Sequence, residues 1–207
     1  MAEIGLEYLK SGKMNKIVFV LFILILFYTV GLFVDPLTLE PGTVEELDGA
    51  ANQVDYAERW EELSIYHRVI YQFSDFNCHQ KHSRSYILNG NQMPVCARDV
   101  GIFIGASGAL LLMSLKRGGE DFKDILLDTM NLDLSIAEKK KVVVLIMLGA
   151  VFSLPLILDG SIQLVTDYES FNGLRTFTGL LFGFGFFSFI SAILLSASPV
   201  GEYQDFD

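Results

Sequence analysis

Both cysteines of the chain, two of its three histidines and three of its fifteen basic residues fall in one stretch, Phe76–Asp99, FNCHQKHSRSYILNGNQMPVCARD. Cys78, His79, Cys96 and Asp99 within it follow the pattern C-H-x16-C-x2-D. Two thiolates, an imidazole and a carboxylate would complete a tetrahedral shell of the kind zinc takes. His82 is an additional candidate ligand. The same cysteines, in a segment expected outside the membrane, also suit a Cys78–Cys96 disulfide, or they stand as two unlinked thiols. The residues alone leave all three arrangements open.

A second constellation lies in LPLILDGSIQLVTDYESFNGLRTFTG, Leu154–Gly179. Asp159 and Gln163 are four apart and share a face if their helix continues past Gly160. Asn172 and Arg175 follow across a short loop. Polar groups at membrane depth pair or line a cavity. An Asp159–Arg175 ion pair capping the bundle is one expectation, and a polar pocket facing the cysteine stretch is the other. Asp159, Gln163 and Arg175 are the catalytic candidates, with Asp159 as a general base. Arg84, Arg98 and Arg175 are the candidates for holding an anion such as a lipid phosphate, because guanidinium forks match phosphate oxygens. The hydrolase patterns G-x-S-x-G and H-E-x-x-H are absent.

These residues need a frame, and the composition supplies it. The chain is 51% hydrophobic with a mean hydropathy of +0.41, which points to a membrane class. Four windows without a charged residue, Ile17–Val34, Val100–Leu115, Val142–Leu158 and Thr176–Ala197, read as membrane spans. With their polar ends added, the expected spans are 17–34, 98–115, 142–158 and 174–197. The fold class is therefore an all-α membrane protein, a single domain over residues 1–207. The first apolar run is too long for a signal peptide and lacks a small-residue cleavage site, so it reads as a retained anchor. Lys10, Lys13 and Lys16 precede the first span, and Lys139–Lys141 abut the third. By the positive-inside rule both termini and loop 116–141 are expected to be cytoplasmic, with 35–97 and 159–173 outside a cell membrane. A net charge of -10 argues against nucleic acid as a partner.

Between the spans, Met1–Lys16 is expected as an amphipathic lead-in and Asp35–Asn52 as an irregular acidic linker. The periodicity of Tyr56, Trp60, Leu63, His67, Ile70 and Phe73 predicts one helix, started by Asp55 and Glu58, that lies on the outer membrane surface or packs on the ends of the spans, with Trp60 and the tyrosines suited to the interface. His67 is expected to be packed. A short helix is expected near Glu120–Asp133, and Ser135 with Glu138 forms a capping-box pattern for the third span. The G-x-x-x-G pairs Gly101/Gly105 and Gly179/Gly183 predict close helix packing within the bundle, or a homodimer.

From Phe73 to Gly185 the chain resembles a prokaryotic family of predicted membrane proteins without an assigned activity. The resemblance rests on CHQ…RS…PVCARD…GIFIG and on the downstream PLILDGSIQL…S.N.LRTFTG block. Family members often read C-A-R-C where this chain reads Cys96-Ala97-Arg98-Asp99, which implies a zinc site with Asp99 replacing a cysteine. Three functions remain in view: an accessory membrane protein with a metal- or disulfide-stapled outer site, an enzyme acting on a phosphate-bearing lipid, and a carrier or flippase for a small or lipidic anion. The lipid bilayer is the expected partner in all three.

Overall fold

The computed structural model describes residues 15–116, 120–132, 135 and 137–197. The expected lead-in therefore lies outside the described residues save for Asn15 and Lys16. Four helices are long and apolar enough to cross a membrane: α1 (Lys16–Thr38), α4 (Ala97–Ser114), α6 (Glu138–Val165) and α7 (Asn172–Ala197). Between α1 and α4 lie α2 (Ala57–Glu61), α3 (Ile65–Asn77), a 3-10 turn (His82–Arg84) and the strands β1 (Ser85–Leu88) and β2 (Asn91–Cys96). The short α5 (Phe122–Thr129) joins α4 to α6.

The central contact is between α4 and α7, and it is made backbone to backbone. A Cβ on Gly101 would lie 2.0 Å from Thr176 O, and one on Gly179 would lie 2.1 Å from Arg98 O. Gly105 and Gly183 repeat the arrangement one turn on, against Leu180 O and Ile102 O. Apolar burial drives no association between helices in lipid, so this van der Waals approach is what small residues supply there. The two G-x-x-x-G pairs thus face each other within one chain. α1 packs on the other side of α4, where Thr29 Oγ1 and Ser107 Oγ lie 3.1 Å apart. α6 touches the bundle mainly through α7 and turns Val143, Ile146, Val151 and Leu158 outward, as a lipid-facing helix does.

The segment between α1 and α4 departs from the expected single surface helix. A break at Glu62–Ser64 separates α2 from α3. Trp60 is fully buried, stacked on Tyr71, and its Nε1–H donates to Asp75 Oδ2 at 2.8 Å. It belongs to an apolar core with Val44 and Leu47, so its ring is turned into the protein and not toward lipid or water. The expected linker supplies half of that core, because Asn91 Oδ1 accepts the Val44 N–H and Gln92 Oε1 accepts the Leu47 N–H, each at 3.0 Å. Asp55 does not cap the helix. Its carboxylate accepts from the Ala50 N–H and the Gln53 amide, while Asp75 receives the Tyr56 N–H. His67 is packed as expected and bonds through Nδ1 to the buried Asp35.

The β1–β2 hairpin is an addition to the all-α expectation. It turns on Asn89 and Gly90, at φ 51 and φ 74, the pair of positive angles that an Asn-Gly turn supplies. Ile87 pairs with Gln92 and Ser85 with Cys96, with an irregularity between them. Tyr86 and Thr176 share a hydroxyl contact of 2.9 Å, which fastens the hairpin to α7. On the opposite end of the bundle, α5 buries Ile125, Leu126 and Leu127. α6 opens with Ala137 at the cap position, and the Glu138 carboxylate pairs with Lys123 and Lys141.

Gly179→Ala places a methyl group against the Arg98 carbonyl and is expected to lower stability by at least the roughly 1–3 kcal/mol of an overpacked core. Gly149→Ala on α6, where a Cβ meets nothing within 4 Å, is expected to be neutral or slightly stabilising. Thermal unfolding of the two variants in detergent checks the contrast.

Candidate functional site

Cys78 is the residue that closes α3, and Cys96 ends β2 and begins α4. Asp99 lies in the first turn of α4, three residues after Cys96 and therefore on the same face. One ligand-type atom from each of the three lies within 4.8 Å of the others. Two backbone N–H groups point at Cys78 Sγ, from Cys96 at 3.3 Å and from Gln80 at 3.5 Å. Gln80 holds a left-handed φ of 49 and is itself buried, its amide donating to Pro94 O at 2.7 Å. That turn aims its N–H back at the sulfur. Cys96 Sγ donates to Asp99 Oδ2 at 3.4 Å. The two thiols are unlinked. Hydrogen bonding with Cys96 first, and burial second, push the Cys78 thiol well above the usual thiol range.

His79 is not part of this group. Cys78 is extended, at φ -133 and ψ 145, and extended backbone sends successive side chains to opposite sides. The His79 side chain is exposed and stands on the wall of the adjoining cleft. His82 turns away as well, its Nδ1 lying 3.1 Å from Gln92 Oε1.

The cleft beside the cysteines has a volume of about 450 Å³. Cys78, Cys96 and Asp99 line it together with Arg84, Arg98 and Arg175, so the structure brings all three anion candidates to one place. Lys81 lines it too, a residue that sequence reasoning did not single out as an anion contact.

The second constellation forms the support behind these arginines, with different partners from those expected. Asp159 pairs with Arg98 and not with Arg175. α6 continues past Gly160, so Gln163 reaches Asp159 Oδ2 at 2.9 Å as the four-residue step requires. Arg175 donates from Nη2 to Gln163 Oε1 at 2.9 Å and from Nε to Ser170 Oγ at 3.1 Å. Ser170 is buried at the centre of the network and was not among the sequence candidates. Its Oγ also donates to Asp159 at 3.3 Å. Asn172 contributes elsewhere, donating to Ser85 O at 3.0 Å. Neither Asp159 nor Gln163 lines the cleft, so both act on the arginines from behind. Arg84 pairs with Glu169 at 2.8 Å, and that guanidinium holds the Glu169 carboxyl below the usual carboxylate range.

A family model described as predicted membrane protein (DUF2085) matches residues 78–189, more than half of the chain. The chain belongs to this family. The matched region of the DUF2085 chain begins at Cys78 itself and includes Cys96, Asp99, Asp159, Gln163 and Arg175. An uncharacterized protein of Methanocaldococcus jannaschii is 30% identical over 125 residues, covering 60% of this chain and 66% of that protein. The chain thus spans a little less than two thirds of that relative's length. An uncharacterized protein of Methanothermobacter thermautotrophicus is 30% identical over 108 residues, 52% of this chain and 78% of that protein. No solved structure matches the chain.

Asp159 is 7% exposed overall and its partner Arg98 keeps 25% of its side chain exposed. Asp159→Ala is expected to cost up to the roughly 3–5 kcal/mol of a broken buried ion pair, reduced by the partial exposure of Arg98. The double variant Arg98→Leu with Asp159→Leu recovers part of the loss, because no unpaired charge remains. A double-mutant cycle on thermal unfolding in detergent measures the coupling.

Proposed function

We propose that this membrane protein binds one divalent metal ion of the zinc class through Cys78, Cys96 and Asp99, at the mouth of its basic cleft. The observation that carries the reading is the three donor atoms within 4.8 Å of one another on a cleft wall. The donor chemistry fits, since two soft thiolates with one carboxylate suit zinc better than magnesium or calcium. The N–H groups aimed at Cys78 Sγ support it as well, because hydrogen bonds from outside the ligand set fix and stabilise a coordinated thiolate. Asp99 and Cys96 sit at a helix N-terminus, whose positive end favours both anionic ligands. The distribution of Lys and Arg supports placing this end of the bundle at the outer face of a cell membrane.

A second reading, a metal-dependent enzyme, is favoured by one observation: the group numbers three donors, without His79. Four protein ligands close a structural zinc site, whereas three leave a coordination position for water or a ligand. That position would open on the cleft.

Bound metal per chain decides the reading. Protein purified in mild detergent without chelator is expected to hold about one zinc per chain. Cys96→Ser, Cys78→Ser and Asp99→Ala should lose it, and His79→Ala should keep it. Acidification should release the ion, because protons compete with the metal for the thiolate and carboxylate ligands. A wild type without metal, or a Cys96→Ser variant with undiminished metal, would sink the proposal. A thiol titration on the same samples identifies a Cys78–Cys96 disulfide if that is what replaces the ion.

A further inference from the structure

Four cations converge on a cleft whose lining holds one carboxylate. Lys81, Arg84, Arg98 and Arg175 line it, and Asp99 is the acid among the lining residues. Three of the cations reach acids that do not line the cleft: Lys81 reaches Asp48 at 3.7 Å, Arg84 reaches Glu169, and Arg98 reaches Asp159. Arg175 differs. It is 2% exposed, and among the described residues it makes no ion pair with a carboxylate. Its hydrogen-bond partners Ser170 and Gln163 are neutral, and the acids that act on it from farther off, Asp159 and Glu169, are already paired with Arg98 and Arg84. A charge buried without a counter-charge is costly. The Nε–H groups of Arg84 and Arg98 are also buried without a protein partner.

We propose that the cleft is a binding site for a phosphate-type oxyanion, with Arg175 at its floor and Arg84 and Lys81 at its mouth. Several guanidinium forks on one wall match the multiple oxygens of a tetrahedral dianion better than they match a planar carboxylate, which a single fork satisfies. The cleft of about 450 Å³ leaves room for the group that carries the phosphate, whether a lipid headgroup or a small soluble ester. The inference deepens the metal reading above and rests on it for the coordination position that the oxyanion would face. Among the described residues no carboxylate is bonded to Arg175, and that holds with or without the ion.

The test uses the full chain in phosphatidylcholine nanodiscs and reads thermal stabilisation and affinity. One arm adds inorganic phosphate, and the other compares discs with and without phosphatidic acid. Stabilisation by inorganic phosphate supports the site and identifies a free oxyanion. Stabilisation by phosphatidic acid alone supports it and identifies a lipid headgroup. Arg84→Gln removes a half-exposed side chain whose own pairing is with an exposed acid, so the fold is expected to persist. It should weaken binding about tenfold, the loss of one charge-assisted contact. Arg175→Gln should abolish binding, and its unfolding transition without ligand reports whether it still folds. No response to either probe, or a response unchanged in Arg84→Gln and in folded Arg175→Gln, overturns the inference. Metal content measured on the same samples separates the two readings. Zinc without an anion response leaves the metal proposal standing and removes this one. An anion response without zinc does the reverse.

Discussion

The approach of α4 to α7 is the constraint on which everything else hangs. Where backbone lies on backbone, neither helix can shift along or rotate about the other without a collision. Gly179 sits against the carbonyl of Arg98, so the residue that lines the cleft is also a residue of the helix contact. The position of Arg98 relative to Arg175 is therefore set by the carbon skeleton of two helices and not by flexible side chains alone. Thr176 reinforces the same level by donating to Ala97 O at 3.0 Å. A cleft built at such a contact has rigid walls, which a binding site needs if its charges are to stay where a ligand expects them.

Charge placement follows from this frame. The acids that balance Arg84 and Arg98 lie outside the cleft lining, and Asp159 among them is buried. Asp159 thereby serves as an anchor, a different use of a buried carboxylate from the proton-accepting one its sequence context suggested. The cysteine group occupies the neighbouring wall, and its two thiols and one carboxylate are the natural place for a positive ion. On the proposed metal reading, a cation and a set of guanidinium groups face one opening.

The spans were legible because lipid imposes a single requirement, an uninterrupted apolar helix, that composition alone expresses. Gly101, Gly105, Gly179 and Gly183 were legible for a similar reason, since their spacing encodes a face without needing its partner. The segment between α1 and α4 was harder. Its organising residues are Gln80, Asn91 and Gln92, buried amides whose partners are backbone groups some 45 residues away in the case of Gln92 and Leu47. No periodicity announces such bonds. The Asn89–Gly90 turn did announce a hairpin, yet the surrounding ligand-type residues drew attention to chemistry first. Adjacent Cys78 and His79 looked like one ligand pair, and only the extended backbone at Cys78 separates them. The sequence pointed to Arg175 as the partner of Asp159, and Arg98 takes that place because α4 brings it against α6.

The glycine face of α4 has a consequence for biogenesis. Residues 97–114 leave the ribosome well before residues 176–183, which cover that face. Until the last span is made, Arg98 lacks Asp159, the hairpin lacks its tie to Thr176, and the cleft lacks Arg175. The extramembrane fold around Trp60 has no such dependence, because Val44, Leu47, Tyr71 and Gln92 all precede α4. The nascent chain thus carries a finished cap over an unfinished bundle. Its basic cleft comes into being only when synthesis is nearly over, and a chain truncated before α7 carries both cysteines without Arg175 beside them.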